Sequence, residues 1–436
     1  MSEATNPNKQ RAQWSSEPAF VFSMAAAAVG LGNLWRFPYM VGENGGAAFI
    51  IAYLIALAVI ALPIMMMEVG AGRLAQGSAV ATFRTAHPRI GSMYGWLVVL
   101  LTIAITSYYL VITGWTLGYA VRAVSFNLTT FDEFSAGWES LWYFFAVTVL
   151  AVLLLIKGVS AIEKLSKLLM PVLLIVILTL VGFATRVDGF AQAREFMFQA
   201  DLSLLGSGSL WVFAIGQAFY TLAVGQGYLV TYGSYIPEKT HVPRACMVVA
   251  GTETAIALLA GFMIFPFVFT FGHDPGEGSQ LAFSTLPQVF ETMRGGPLLA
   301  IAFFLLFFAA AFSSCLAGLK VIIAAIEEEF RLKASQAVLV VGALMLLLGI
   351  PSALSFTEVQ LTVAGMPFLD FMDQFGGTNV VIASGIIGAG LFCWLVPRIR
   401  IHRSLTTTSR GWERVIVRVG RALPVLGILL VIWQIL

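Results

Sequence analysis

Charge is what this sequence has least of. Asp, Glu, Lys and Arg make up 11% of its 436 residues, against about 25% in soluble domains. A soluble fold cannot cover itself with so little polar surface. The net charge of +2 says little, because placement matters more than the sum. Cysteine is nearly absent. Cys246, Cys315 and Cys393 all fall in or beside apolar runs, where none suits an extracellular disulfide and each reads as a small hydrophobe. Histidine is as scarce: His87, His241, His273 and His402 sit in loops without metal-ligand spacing. No nucleophile–base set accompanies them, so the chain does not read as an enzyme. No nucleic-acid motif is present. The first 15 residues are polar and lack the apolar region of a signal peptide; they read as a cytosolic tail.

What fills the chain instead is apolar sequence, 59% of it. Runs of about 20 residues recur throughout, each long enough to cross a bilayer. The pattern predicts an all-α polytopic membrane protein with about eleven spans: 16–38, 45–68, 95–123, 140–156, 167–185, 209–236, 245–271, 298–326, 335–350, 376–396 and 417–436. Basic residues set the orientation. With the N-terminus inside, Arg73, Arg84, Lys157, Lys164, Lys239, Arg331, Arg398 and Arg403 all face the cytosol. The odd span count then leaves the C-terminus outside.

Two spans carry their own breakers. Span 1 is interrupted at "VGLGN", residues 29–33, and span 6 at "TLAVGQG", residues 221–227. Five spans separate them, so the two halves are inverted in the membrane. Non-helical backbone at membrane depth is tolerated only where it is buried in protein or lines a cavity. Unwinding frees carbonyls for a cation and leaves a half-helix N-terminus suited to a carboxylate. Paired breaks of this kind point to a transporter's binding site. The competing reading, glycines for helix packing, accounts for one break better than for two in register.

The stretch "VGLGNLWRFPY…ENGGAAF" resembles the neurotransmitter:sodium symporter family, in its bacterial, leucine-transporter-like branch. So do Glu68, "SYYLVITGWTLGYA", "GQAFYTLAVGQG", "FFAAAFSS" and "FLDFMD". The resemblance covers essentially the whole chain. It implies two inverted five-helix repeats, residues 16–185 and 209–396, after a 1–15 tail, with an extra span at 417–436. It implies a sodium-coupled secondary active symporter in a bacterial inner membrane, importing an amino acid or related zwitterion by alternating access. A proton-coupled or sodium-independent transporter of the same fold, or a non-transporting sensor, stays open beside it.

Carried over by position, the resemblance gives a substrate pocket of Ala28, Gly30, Leu31, Gly32, Ile105, Tyr109, Tyr220, Thr221, Ala223, Gln226, Ser313 and Ala317. The carboxylate would meet the N–H groups of Leu31 and Gly32 and the Tyr109 hydroxyl. Gly30, where monoamine-transporting relatives carry an acid, favours a ligand that brings its own carboxylate. A first sodium would use Ala28, Asn33, Thr221 and Thr252; a second would use Ala26, Val29, Ala309 and Ser313. Arg36 and Asp373 would form an outer gate. Arg11, Tyr235 and Glu327 (Glu328 by one shift), with Trp14 beside them, would form an inner one. Charge in a span needs a partner, which supports the Arg36–Asp373 pairing.

The chain also departs from the family pattern. Phe312 stands where a second-sodium ligand is usual, and Ala161 replaces a glycine that eases unwinding of span 5. Together they predict an altered or lost second sodium site. Lys320, two turns from Ser313 on one helix face, reads as a snorkelling surface lysine or as a fixed cation serving that site. Tyr53, Gln217 and Thr221 match the usual chloride surround, but Ile256 replaces its serine, so no chloride site of that kind is expected; Glu253, one turn away, is the acid that would offset charge instead.

Overall fold

A computed structural model describes residues 14–156, 159–237, 239–276, 281–292, 295–405 and 410–435, with the backbone alone at residues 27, 159–170, 292, 410 and 426–435. The chain is a bundle of helices whose order follows the predicted spans. Span 2 runs Ala47–Ala75, span 3 Ile90–Val124, span 7 Val242–Phe271, span 8 Gly296–Phe330, span 9 Ala334–Ala353 and span 10 Phe368–Leu395. These six are long and apolar enough to cross a membrane. Glu139–Leu155 and Val159–Ala184 supply spans 4 and 5. The last helix begins earlier than expected, at Arg410, and continues to Ile435. Its first turns carry Glu413, Arg414, Arg418 and Arg421, which is why hydropathy alone placed the start later.

Spans 1 and 6 escape a length criterion because each is two half-helices. Ser16 caps the first, its hydroxyl accepting from Ala19 N–H, and the helix runs Glu17–Ala28. Val29 then turns extended (φ −70°, ψ 96°). The chain re-enters through a wide π-type turn, Gly32–Arg36, and continues as Phe37–Glu43. Span 6 runs Gly208–Thr221, breaks, and resumes as Tyr228–Gly233. Within its break Ala223, Gly225 and Gly227 all have positive φ, 53°, 76° and 77°. Two glycines take that region without steric cost, and the alanine holds it under strain.

Side chains from other spans satisfy the backbone that the breaks release, as buried polar groups require. Glu68 of span 2 accepts from Gly225 N–H at 2.9 Å, and Ser384 of span 10 donates to Gly225 C=O at 2.7 Å. Thr102 of span 3 donates to Gln226 C=O at 2.6 Å. Leu31 N–H donates to the Tyr109 hydroxyl at 2.7 Å, and Gln217 Nε2 donates to Gly32 C=O at 2.9 Å. Four different spans thus hold the two breaks in place. Short helices at Ala79–Arg84, Phe131–Ala136, Phe190–Phe198, Leu281–Thr292 and Arg398–Leu405, and a hairpin pairing Thr362–Val363 with Met366–Pro367, occupy the connections. The hydropathy pattern signals none of these.

Candidate functional site

Between the breaks lies a small cavity of about 20 Å³, lined by Ala28, Gly32, Ile105, Tyr109, Tyr220, Ala223, Gln226, Tyr228 and Ser314. Seven of these nine belong to the pocket expected from the sequence; Tyr228 and Ser314 were missed. Ser313 points elsewhere, because one residue along a helix rotates the side chain by about 100°. It is therefore Ser314 that faces the cavity, while Ser313 lines a second one. Ala317 is buried without lining the cavity, and Thr221 sits behind it, accepting from Gln217 Nε2 at 3.0 Å. Gly30 has a spatial reason: a Cβ there would lie 2.3 Å from the Tyr109 hydroxyl oxygen and 2.7 Å from Ser314 Cβ.

A cluster of buried oxygens lies beside the span 1 break. Asn33 and Glu253 are both fully buried. Asn33 Nδ2 donates to the Glu253 carboxylate at 2.7 Å and to its backbone carbonyl at 3.0 Å. Two oxygens remain without a hydrogen-bond partner among the described residues: Asn33 Oδ1 and Glu253 Oε1. Leaving such atoms unpaired in a dry interior is costly, and hard oxygens of this kind suit a hard cation. Thr252 does not join them. It is partly exposed, and its hydroxyl donates to Val248 C=O on its own helix at 2.9 Å. The residue that span 7 turns inward is Glu253, one position on. A carboxylate inside a membrane span was itself the available signal. Tyr53 and Gln217, also fully buried, complete the surroundings, with Ile256 buried one turn further along span 7.

The second cavity is smaller, about 10 Å³, between spans 1, 5 and 8. Its lining is Ala26, Val29, Leu173, Leu306, Ala309, Ala310 and Ser313. All four residues expected for a second sodium are here. Among the described residues Ser313 supplies the one side-chain oxygen of this lining, and that hydroxyl already lies 3.0 Å from Ala26 C=O and 2.9 Å from Ala310 C=O. Phe312 is absent from the lining; its ring stacks on Phe308 at 5.4 Å. Ala161 falls where only the backbone is described, inside the helix Val159–Ala184.

Above the central cavity, Arg36 is 1% exposed yet fully engaged. Its Nε donates to both Asp373 oxygens at 3.2 and 3.1 Å, Nη1 to Gln217 Oε1 at 2.7 Å, and Nη2 to the Thr378 hydroxyl at 2.6 Å. The guanidinium also lies over the Tyr220 ring, 4.7 Å from its centroid. Asp373 in turn accepts from Tyr39 at 2.6 Å and from Tyr108 at 2.9 Å. The Tyr108 and Tyr220 hydroxyls are 3.2 Å apart. Arg36 ends one π-type turn and Thr378 lies in another, Phe375–Val380, so both partners sit where the helical ladder is locally widened, a frequent mark of functional segments.

At the opposite end Trp14 is buried. Its Nε1 donates to Tyr232 C=O at 3.2 Å, its backbone N–H to Tyr235 C=O at 2.9 Å, and its ring packs on Tyr232 at 5.3 Å and edge-on to Tyr235 at 6.2 Å. Arg11 lies outside the described residues. The acidic run after span 8 divides its duties. Glu328 accepts from Ser78 N–H at 2.8 Å, Glu329 pairs with Arg84, and half-buried Glu327 makes neither contact.

Known proteins resemble this chain over most of its length. The model of the sodium:neurotransmitter symporter family matches residues 11–140 and 131–409. An uncharacterized sodium-dependent transporter of Haemophilus influenzae is 32% identical over 429 residues, covering 93% of each chain. The transporter YhdH of Bacillus subtilis, also described as sodium-dependent, is 33% identical over 393 residues, covering 87% of each. Among solved structures, that of MhsT in complex with L-phenylalanine superposes with a TM-score of 0.91 at 34% identity, covering 95% of this chain and 98% of that one.

Proposed function

The chain belongs to the sodium:neurotransmitter symporter family, and from that premise we propose that it imports an amino acid or related zwitterion across a bacterial inner membrane, coupled to sodium, with its N-terminus in the cytoplasm and its C-terminus outside. The observation that carries the reading is the pair of unpartnered oxygens, Asn33 Oδ1 and Glu253 Oε1, buried beside the span 1 break. Together with Thr221 and the Ala28 carbonyl they form the first sodium site, in which Glu253 takes the place expected of Thr252. The substrate carboxylate completes that shell from the half-helix N-terminus at Leu31 and Gly32, under the Tyr109 hydroxyl. Its ammonium faces the break of span 6. Among the described residues no basic or acidic side chain lines the central cavity, so the substrate's charges must be met by backbone groups and the neighbouring ion, which favours a zwitterion.

The second site is altered. Backbone carbonyls near Ala26, Val29 and Ala309 remain, but among the described residues Ser313 is the one hydroxyl of an otherwise apolar lining. One sodium per substrate follows. Glu253 beside Tyr53, Gln217 and Thr221 supplies the negative charge that chloride supplies elsewhere, so transport needs no chloride. Alternating access follows from closure at both ends: the Arg36–Asp373 network above and docked Trp14 below must separate in turn.

The test is uptake of labelled amino acids into proteoliposomes under an imposed sodium gradient. Uptake that collapses when choline replaces sodium and persists without chloride supports the reading. Uptake driven equally by a proton gradient in choline would transfer the coupling to protons, and binding without flux would make the protein a sensor.

A further inference from the structure

The break of span 6 places one side chain that the proposed ion and carboxylate sites do not use. Gln226 lines the central cavity and is 4% exposed. Its backbone carbonyl is held by Thr102, and its neighbour Gly225 is held at N–H and C=O by Glu68 and Ser384. The residue thus stands on a segment clamped by three spans. Its amide nitrogen, Nε2, has no hydrogen-bond partner among the described residues.

Other polar groups of the same wall are occupied. The Tyr109 hydroxyl accepts from Leu31 N–H, and the Tyr220 hydroxyl meets Tyr108. An unpaired amide nitrogen in a buried site is costly, and the fixed backbone denies Gln226 an easy retreat. The remaining lining near it is Ile105, Ala223 and Tyr228.

We propose that Gln226 sets the side-chain preference of the transporter: its amide nitrogen donates to an acceptor on the substrate's side chain, so the substrate is an amino acid with a neutral, oxygen-bearing side chain, a hydroxyl or a carboxamide. A carboxylate side chain would accept the bond too, but it would bring a net negative charge into a cavity whose lining, among the described residues, holds no cationic side chain. A cationic side chain offers no acceptor. An aliphatic side chain leaves the amide buried and unpaired. A site built around a buried hydrogen-bonding group rejects ligands that cannot complete it far more strongly than an apolar pocket rejects an added hydroxyl.

This inference rests on the proposed symport of a zwitterion, and the experiment separates the two. Thermal stabilisation of the purified protein is measured in sodium and in choline with near-isosteric pairs: threonine against valine, glutamine against methionine, asparagine against leucine, tyrosine against phenylalanine. The same set is repeated on Gln226→Met. The expected result is that the polar member of the fitting pair binds about tenfold or more tightly in sodium, and that Q226M cancels or inverts that ratio. Tighter binding of the apolar member in every pair overturns the inference and leaves sodium-coupled amino-acid binding intact. So does a polar preference that Q226M does not change, which would leave the amide to a trapped water. No stabilisation by any amino acid in sodium overturns the symport reading and this inference with it. The wild-type ratios are decisive by themselves if Q226M does not fold.

Discussion

Removing Asp373 should open the outer side of the molecule, by an amount the geometry bounds. In the closed network Arg36 is 1% exposed, and Asp373 carries its counter-charge through two contacts at 3.2 and 3.1 Å. Asp373→Ala leaves a buried guanidinium whose remaining hydrogen bonds among the described residues go to the neutral oxygens of Gln217 and Thr378, over the ring of Tyr220. Breaking a buried pair by deleting one partner costs about 3–5 kcal/mol. With the vestibule open Arg36 is hydrated, so the penalty falls on the closed state alone. At about 1.4 kcal/mol per decade, the closed-to-open ratio drops roughly one hundred- to several-thousandfold. The assay is labelling of Ile105→Cys, in the cavity wall, by a membrane-impermeant thiol reagent, with the three native cysteines replaced. All three are buried. D373A should raise the labelling rate until opening no longer limits it, and should abolish concentrative uptake. Arg36→Gln combined with D373A should recover part of the closure, because no bare charge remains. Unchanged labelling in D373A would refute the reasoning, since the pair would then contribute nothing to closure.

Glu253→Gln should raise the sodium concentration needed for half-maximal substrate binding by about tenfold or more, while Thr252→Ala leaves it unchanged; the reverse pattern in a sodium titration would return the site to Thr252. Gly30→Ala should leave a folded protein that binds substrate at least about tenfold more weakly, because its Cβ meets Tyr109 and Ser314; unaltered affinity in a binding titration would show that the wall yields. Tyr220→Phe removes the hydroxyl contact with Tyr108, worth about 1 kcal/mol, and should raise Ile105→Cys labelling about fivefold; a rate equal to that of the parent would show that the ring alone closes the roof. Flux measurements should give one sodium ion per substrate, and a stoichiometry of two would remove the altered second site from the reading.

The breaks were legible because glycine and asparagine clustered in an apolar run disrupt a helix that lipid would otherwise enforce. The Arg36–Asp373 pairing was legible for a similar reason: Arg36 needed an acid, and Asp373 was the carboxylate near the head of span 10. What failed was helical phase. Thr252 was expected where the structure turns Glu253 inward, and Ser313 was expected in the cavity that Ser314 lines; each differs by one residue, which turns a side chain from one surface to another. Position along a chain does not carry helix rotation; packing sets it. For Glu253 a physical cue existed, since an acid in lipid is more costly to leave outward than a threonine. For Ser314 there was none, because neighbouring serines are chemically identical. The polar partners of that pair, Tyr39, Tyr108 and Thr378, were invisible because a tyrosine or threonine in a membrane helix has many ordinary uses. The helices in the connections were too short to show a period.

Gln217 has two ends, and they point at different processes. Its Oε1 accepts from Arg36 at 2.7 Å, while its Nε2 donates to Gly32 C=O and to the Thr221 hydroxyl at 2.9 and 3.0 Å. An amide is rigid and planar, so it cannot turn to improve one set of contacts without spoiling the other. Closing the roof therefore helps fix the orientation of Thr221, and a cation held by Thr221 helps fix the oxygen that Arg36 needs. Thermodynamic reciprocity then applies: by whatever factor sodium favours the closed roof, a closed roof must tighten sodium. Through a single buried glutamine, the proposed ion site at Thr221 and the Arg36–Asp373 roof would be coupled at equilibrium, each favouring the other to the same degree.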